Sequence, residues 1–406
     1  WVLTHDDMWA EMSFPALLPN ALVTRTTRLA EYKFDDIPRS LLRGKARTIE
    51  EANARIRDEE FWQRERPVEL TKSEQNIDGL VDRIRRSKGF GVIMVGVKAF
   101  AENFIETSPT GEKSKVDIGP VNTIISHNFV DGYRFRGSAR TMAALNPHLF
   151  WKGYGAYGTR SNRWYYGSEV TYAFNKKENS PFEYPMRNLV FSSERDVMSP
   201  SDKYLVNNKD NVFMSFRTQD VRQMYFYDRQ QLSFVYESDW GLSVNAGVKT
   251  ESNEVAGELH FQPVNGAPEV FKIRTTELSA GIRFCPGQTF VNTKQHRWPV
   301  NLDHPDLSLT HTMGVNGVLG GQYQLNLTEL KLYKRQWLGS WGFVDFHANA
   351  AVQWNKVPFP LLIMPPANMT FMDNEVTFNL MNNMEFLTDR QLFVSASWDM
   401  NGKLLN

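Results

Sequence analysis

From about Val116 to the end of the chain, apolar and polar residues alternate with a period of two, in runs separated by turns rich in Gly, Asn, Asp or Pro. In Trp164 to Phe174 the even positions are Trp164, Tyr166, Ser168, Val170, Tyr172 and Phe174, and Gly167, Glu169 and Thr171 fall between them. Leu242 to Val248 and Leu278 to Phe284 repeat the device, with Ser243, Asn245 and Gly247, then Ser279, Gly281 and Arg283, on the polar side. Val344 to Trp354 sets Val344, Phe346, Ala348, Ala350, Val352 and Trp354 against Asp345, His347, Asn349 and Gln353. Val376 to Phe386 reads the same way, with Glu375, Thr377, Asn379, Asn383 and Glu385 on its polar side. Soluble strands usually run to roughly five or six residues, and a tilted bilayer crossing needs roughly nine to eleven. The pattern therefore predicts long antiparallel strands with one greasy, aromatic face. Residues 1 to about 120 differ: they are rich in charge and carry helical spacing. Thr71 and Glu74 fit a capping box ahead of Ile77, Leu80, Val81 and Ile84, and a second helix is expected from Ile49 to about Trp62.

Composition sharpens this picture. Lys plus Arg equals Asp plus Glu at 46 each, so no global field draws the chain to nucleic acid. Aromatic residues make up 13%, and they gather at the ends of runs (Trp164, Tyr172, Phe174, Tyr225, Trp337, Trp341, Trp354), as girdles at membrane interfaces do. A single cysteine, Cys285, excludes an intrachain disulfide and a cysteine-based zinc cluster. The longest apolar stretches, such as Phe359 to Pro366, are too short and proline-broken for a transmembrane helix, so any membrane crossing must be by strands. The chain opens on Trp1 without a basic and apolar leader and ends without a terminal aromatic strand residue, and it reads as part of a longer barrel protein.

Candidate chemistry is sparse. His304 and His311 lack the spacing that puts two zinc ligands on one helical face, and Gly153 to Gly158 and Gly317 to Gly321 match neither dinucleotide nor Walker loops. No catalytic, metal or cofactor residue is expected. The sharpest local feature is the row Arg134, Arg136 and Arg140, on even positions of a strand whose odd positions Tyr133, Phe135 and Ala139 would face lipid. Such a row can grip an anionic ligand or a lipopolysaccharide group, or pair with acids on other strands, such as Glu169, Asp345, Glu375 or Glu385. Pairing is the favoured expectation. Arg283 and His347 complete the set expected to face a lumen.

Several words in the chain carry a resemblance. They are Glu60-Phe61-Trp62, Arg64-Glu65-Arg66-Pro67, Leu70-Thr71 and Glu74, then Val116-Asp117-Ile118-Gly119-Pro120. Asn128-Phe129-Val130-Asp131-Gly132-Tyr133-Arg134-Phe135-Arg136, Arg140-Thr141 and Gly153-Tyr154-Gly155-Ala156-Tyr157-Gly158-Thr159 extend it, and Asn401-Gly402-Lys403-Leu404-Leu405-Asn406 adds a last match. They resemble a Bacteroidota outer-membrane family of unknown function, in which a carboxypeptidase-regulatory-like domain and a helical periplasmic region precede a β-barrel. The resemblance implies a mainly β fold: a periplasmic α+β segment over 1–120 and a transmembrane antiparallel barrel over 121–406, with its last strands missing. The resemblance gives a location and an architecture only, and with no catalytic motif in the chain the expected function is a non-enzymatic role in envelope biogenesis or in the transport or anchoring of cargo. The expected partners are outer-membrane lipid, lipopolysaccharide and other envelope proteins. Two other readings stay open. One is a TonB-dependent-type nutrient transporter, for which neither plug nor coupling box is visible; the other is a soluble β-rich carbohydrate-binding protein.

Overall fold

The computed structural model describes residues 2–14, 18–29, 32, 59–65, 90–108 and 112–402, the last range without 206, 207, 265, 295, 373 and 375. The chain divides into two compact units, residues 1–44 with 48–90, and residues 45–47 with 91–406. In the first unit, β1 (His5–Phe14) and β2 (Leu18–Arg28) form an antiparallel hairpin, which the pattern analysis did not anticipate. Arg25 to Asp6 and Arg28 to Asp7 bridge it, both at 2.8 Å, and such solvent-facing pairs contribute little. Helix α1 (Glu59–Glu65) covers the end of the helix expected over Ile49 to Trp62. The remainder of that helix, and the expected one around Thr71 to Ile84, lie outside the described residues.

The second unit opens with α2 (Phe90–Glu102) and continues as one antiparallel sheet of fourteen strands. In chain order these are β3 (Ile105–Glu106), β4 (Val116–Ile118), β5 (Ile125–Asn128), β6 (Gly132–Thr141), β7 (Leu149–Gly158), β8 (Trp164–Ala173) and β9 (Arg187–Met198), then β10 (Gln223–Glu237), β11 (Leu242–Gly257) and β12 (Lys272–Phe284). A short separate hairpin follows, β13 (Phe290–Asn292) with β14 (Arg297–Pro299), and then β15 (Asp306–Gly314), β16 (Leu325–Trp337), β17 (Phe343–Gln353) and β18 (Arg390–Asp399). From β6 to β18 every sheet strand pairs with its neighbour in sequence, with the β13–β14 hairpin set aside. Beyond β6 the first edge is β4 followed by β3, and β5 continues the β4 line along β6. The chain steps between β4 and β5 at Gly119, whose φ of 140° suits only glycine and where a side chain would meet the Asn103 carbonyl at 2.8 Å. Among the described residues, β3 and β18 have no strand on their outer sides, so the sheet is open.

The alternation read from the sequence is the organising fact of this sheet, and its apolar face is the exposed one. Trp151, Val170, Phe191, Leu232, Val248, Leu278 and Met313 stand in register across seven strands, and all are exposed. A second row runs Tyr236, Val244, Ile282, Leu309, Leu330, Ala350 and Leu392 out to β18. The opposite face is polar and shielded: Tyr165, Thr171, Thr275, Asp345 and Gln353 are buried on it. Exposed tryptophans mark the strand ends, with Trp240, Trp337, Trp341 and Trp398 at the end where β10 and β16 turn, and Trp164 and Trp354 at the other.

One expected strand is absent. Residues 354–389, which include Val376 to Phe386, form a long connection whose described residues make only single bridges, Ala367 to Phe378, Ile363 to Thr388 and Thr370 to Arg217. Pro358, Pro360, Pro365 and Pro366 deny it ladder donors, and Leu380 and Phe386 are exposed instead of sharing a sheet face. This connection packs on the one between β9 and β10, which carries the short helix α3 (Val212–Ser215). There Thr218 N donates to the Met369 carbonyl at 3.0 Å, and Met364, Met369 and Met214 are buried.

Candidate functional site

The site is built from β6 outward. Its even residues point to the shielded face, and Tyr133 and Phe135 point the other way and are exposed. Arg134 is completely buried. Its guanidinium lies 3.2 Å from Asp131, 2.8 Å from Asp196 and 3.1 Å from Asp210, and 4.6 Å from the Tyr165 ring centre. Arg136 reaches Asp210 at 2.6 Å and lies over the Tyr154 ring at 3.7 Å. Lys209 bridges Asp196 and Asp210, each at 3.2 Å. Three carboxylates thus face three bases, and burial strengthens every one of these contacts while making any unmatched charge costly. Tyrosine hydroxyls complete the network: Tyr165 donates to Asp131 at 2.5 Å, and Tyr154 lies 2.5 Å from Asp196 and 2.8 Å from Glu194. Burial by itself pushes the Asp210 carboxyl up, but Lys209, Arg134 and Arg136 pull harder and hold it well below the usual carboxylate range.

Arg140, at the far end of β6, is held more loosely. One nitrogen lies 3.5 Å from Asp117, its plane covers the Phe104 ring at 3.7 Å, and its Nε has no hydrogen-bond partner. Arg136 and Arg140, with Lys152 and Glu169, line a cleft of about 750 Å³ on the shielded face, rimmed by Phe182 and Trp298. Lys152 pairs with Glu169 at 2.9 Å. Further along the same face the charges zip strand to strand: Arg229 contacts Glu251 at 2.7 Å and Glu194 at 3.8 Å, and Lys249 contacts Glu251 at 3.4 Å and Glu277 at 2.9 Å.

Pairing of the arginine row is therefore what the structure contains, but the expected partners need correction. Asp131, Asp196, Asp210 and Asp117 serve Arg134, Arg136 and Arg140, whereas Glu169 goes to Lys152 and Asp345 to Arg335 at 2.6 Å. Glu385 is exposed in the β17–β18 connection, where it accepts from Asn382, and Glu375 lies outside the described residues. Arg283 pairs with Asp306 at 2.6 Å, and His347 stands 4.8 Å from the Tyr333 ring, both away from the cleft. Of the expected residues, the cleft gathers Arg136, Arg140 and Glu169, and Arg134 sits in the network behind Arg136. The residues that sequence reasoning missed are Asp131 from a turn, Asp196 from β9, Lys209 and Asp210 from the β9–β10 connection, and Lys152 from β7. Only Lys152 carried a signal, its place beside an alternating run.

Residues 105–406 match the model of the C-terminal domain of a family of unknown function, DUF5686. The chain belongs to the DUF5686 family. The match takes in the whole fourteen-stranded sheet, the charge network and the cleft, so the shielded polar face lies within the domain that defines membership. No curated protein matches the chain.

Proposed function

We propose that this DUF5686 protein is a non-enzymatic outer-membrane β-barrel protein that acts in envelope biogenesis or in the transport or anchoring of cargo. In this reading the exposed apolar face meets lipid and the shielded polar face lines a lumen. The observation that carries it is the pair of apolar rows running in register from β7 to β18 while ion pairs concentrate on the other face. A water-soluble sheet of this size has to cover its apolar face with another layer, because a contiguous exposed patch of many strands costs far more than scattered surface residues. Lipid meets the same need with no further protein. The tryptophans at the strand ends are placed as interfacial girdles are. Closure requires strand partners for the outer sides of β18 and β3, because an open strand edge is not tolerated in hydrocarbon.

The resemblance noted in the sequence extends the proposal to a Bacteroidota envelope and to an upstream carboxypeptidase-regulatory-like domain. Orientation follows from the connections. Those at 199–222 and 354–389 are long and lie at one end of the strands, and β18 finishes at the other. Barrels keep their longer loops outside the cell, so the end carrying Asp399 belongs to the periplasmic side, and the resemblance assigns residues 1–120 to the periplasm. The test is expression in the native type of host, membrane separation, and gel migration with and without heating. Recovery in the outer membrane with a heat-dependent shift is the expected result; a soluble, unshifted protein would restore the reading of a soluble carbohydrate-binding β-protein.

A further inference from the structure

On the shielded face, four charged residues stand side by side across β4, β6, β7 and β8: Asp117, Arg140, Lys152 and Glu169, each in register with the next. The signs run minus, plus, plus, minus. Arg140 opposite Lys152 is the one directly opposed pair of cations among the described residues of the fourteen-stranded sheet, and Glu106 opposite Asp117 is a like pair of acids on the outer side of the same row. From β9 to β12 directly opposed charges on that face alternate, as in Glu194, Arg229 and Glu251, or Lys249 and Glu277. Like charges facing each other across strands are destabilising, and here each acid attends its base from the outer side, leaving the two cations facing across the gap. Asp117 reaches Arg140 at 3.5 Å, a longer contact than a close charge-assisted hydrogen bond. Arg136, whose side chain is only 8% exposed, adds a second Nε without a hydrogen-bond partner to the same cleft.

We propose that this cleft is a binding site for a phosphate monoester on a hydroxyl-bearing body, with the phosphate seated between Arg140 and Lys152. A phosphate dianion offers acceptors to both cations at once, and the guanidinium fork suits its oxygens. The rest of the cleft fits a sugar-like carrier: Ser138, Ser192 and Gln231 supply hydrogen-bonding groups, and the exposed rings of Phe182 and Trp298 supply apolar platforms at its rim. The volume of about 750 Å³ is that of a small-molecule site. The assignment concerns the shielded face and stands whether or not the opposite face meets lipid.

The experiment is calorimetric titration of the detergent-solubilised full chain, at fixed ionic strength, with glucose 6-phosphate, inorganic phosphate and glucose. Saturable binding of glucose 6-phosphate is expected, with inorganic phosphate weaker and glucose weakest. Lys152→Gln and Arg140→Gln should each weaken it about tenfold or more, the loss of one charge-assisted contact, and Arg195→Gln on the outer face should leave it unchanged. Lys152 is half exposed, so its replacement is tolerated by the fold. The proposal is overturned by the absence of saturable binding, by glucose binding as tightly as its phosphate, by inorganic phosphate matching the sugar phosphate, or by unchanged affinity in Lys152→Gln. Flotation of the same preparation with lipid vesicles reports on the membrane reading separately.

Discussion

Arg134 shows how much depends on single residues here. Its guanidinium is fully buried against Asp131, Asp196 and Asp210, so Arg134→Gln leaves Asp131 without a cation, weakens the pairing of the other two, and should cost about 3–5 kcal/mol in urea unfolding followed by tryptophan fluorescence. Arg195→Gln removes a partly exposed contact with Asp228 and should change stability by about 1 kcal/mol or less. Asp210 adds a pH dependence whose sign follows from its lowered value. Below the ordinary Asp range, near pH 4, the unfolded chain takes up a proton that the folded chain refuses, so this stabilisation is present above that range and lost as the pH falls further. Unfolding midpoints measured from pH 6 down to pH 3 should therefore fall, and Asp210→Asn should start from a lower value and fall less. The row Arg134, Arg136 and Arg140 was legible because a strand repeats every two residues. Its acids were not, because Asp196 and Asp210 arrive from 62 and 76 residues further along the chain, and alternation within one strand says nothing about what a distant connection delivers.

At the scale of elements, glycines in β6 to β8 separate structural constraint from composition. A side chain at Gly167 would meet the Tyr154 ring at 2.2 Å, and that ring holds its hydroxyl against Asp196 and Glu194. Gly167→Ala must displace it and should cost about 1–3 kcal/mol. Gly137 has nothing within 4 Å of an added Cβ and no left-handed φ, so Gly137→Ala should be neutral or stabilising by about 0.4–1 kcal/mol, and the same unfolding assay distinguishes the two. The strands that alternation announced, β8, β11, β12 and β17, are all present, because one wholly apolar face leaves a strand a single register. Val376 to Phe386 shows the limit of that signal. Its alternation is as regular as that of β17 apart from Asn382, but the prolines before it break the ladder, and the connection that carries it instead joins the β9–β10 connection through backbone contacts of Met369 and Thr370 with Arg217 and Thr218. Periodicity reports which residues could share a face, and not whether a neighbouring strand is there to receive them.

At the scale of the whole second unit, the membrane reading turns on what surrounds the apolar rows, and substitution by depth tests it directly. Ile282 lies within the second row and is half exposed, with Val244 and Leu309 as its cross-strand neighbours. Gln230 lies on the same outer face of β10 where the rows give way to polar residues, hydrogen-bonded to Asp228 and Thr250. If lipid surrounds this face, Ile282→Arg places a charge near the middle of the hydrocarbon and should cost about 2–4 kcal/mol, whereas Gln230→Arg lies near the interface and should cost about 0–1 kcal/mol. If water surrounds it, both are surface changes and should fall within about 0.5 kcal/mol of the parent protein. The measurement is the unfolding free energy of each variant in lipid vesicles, where the two surroundings differ by a factor of about ten or more in the folding equilibrium for Ile282→Arg. Equal small effects would remove the bilayer from the proposal while leaving the cleft on the other face untouched. A cost confined to Ile282 would mean that the apolar rows are held by lipid, because no protein layer would distinguish these two exposed positions on one sheet face by depth alone.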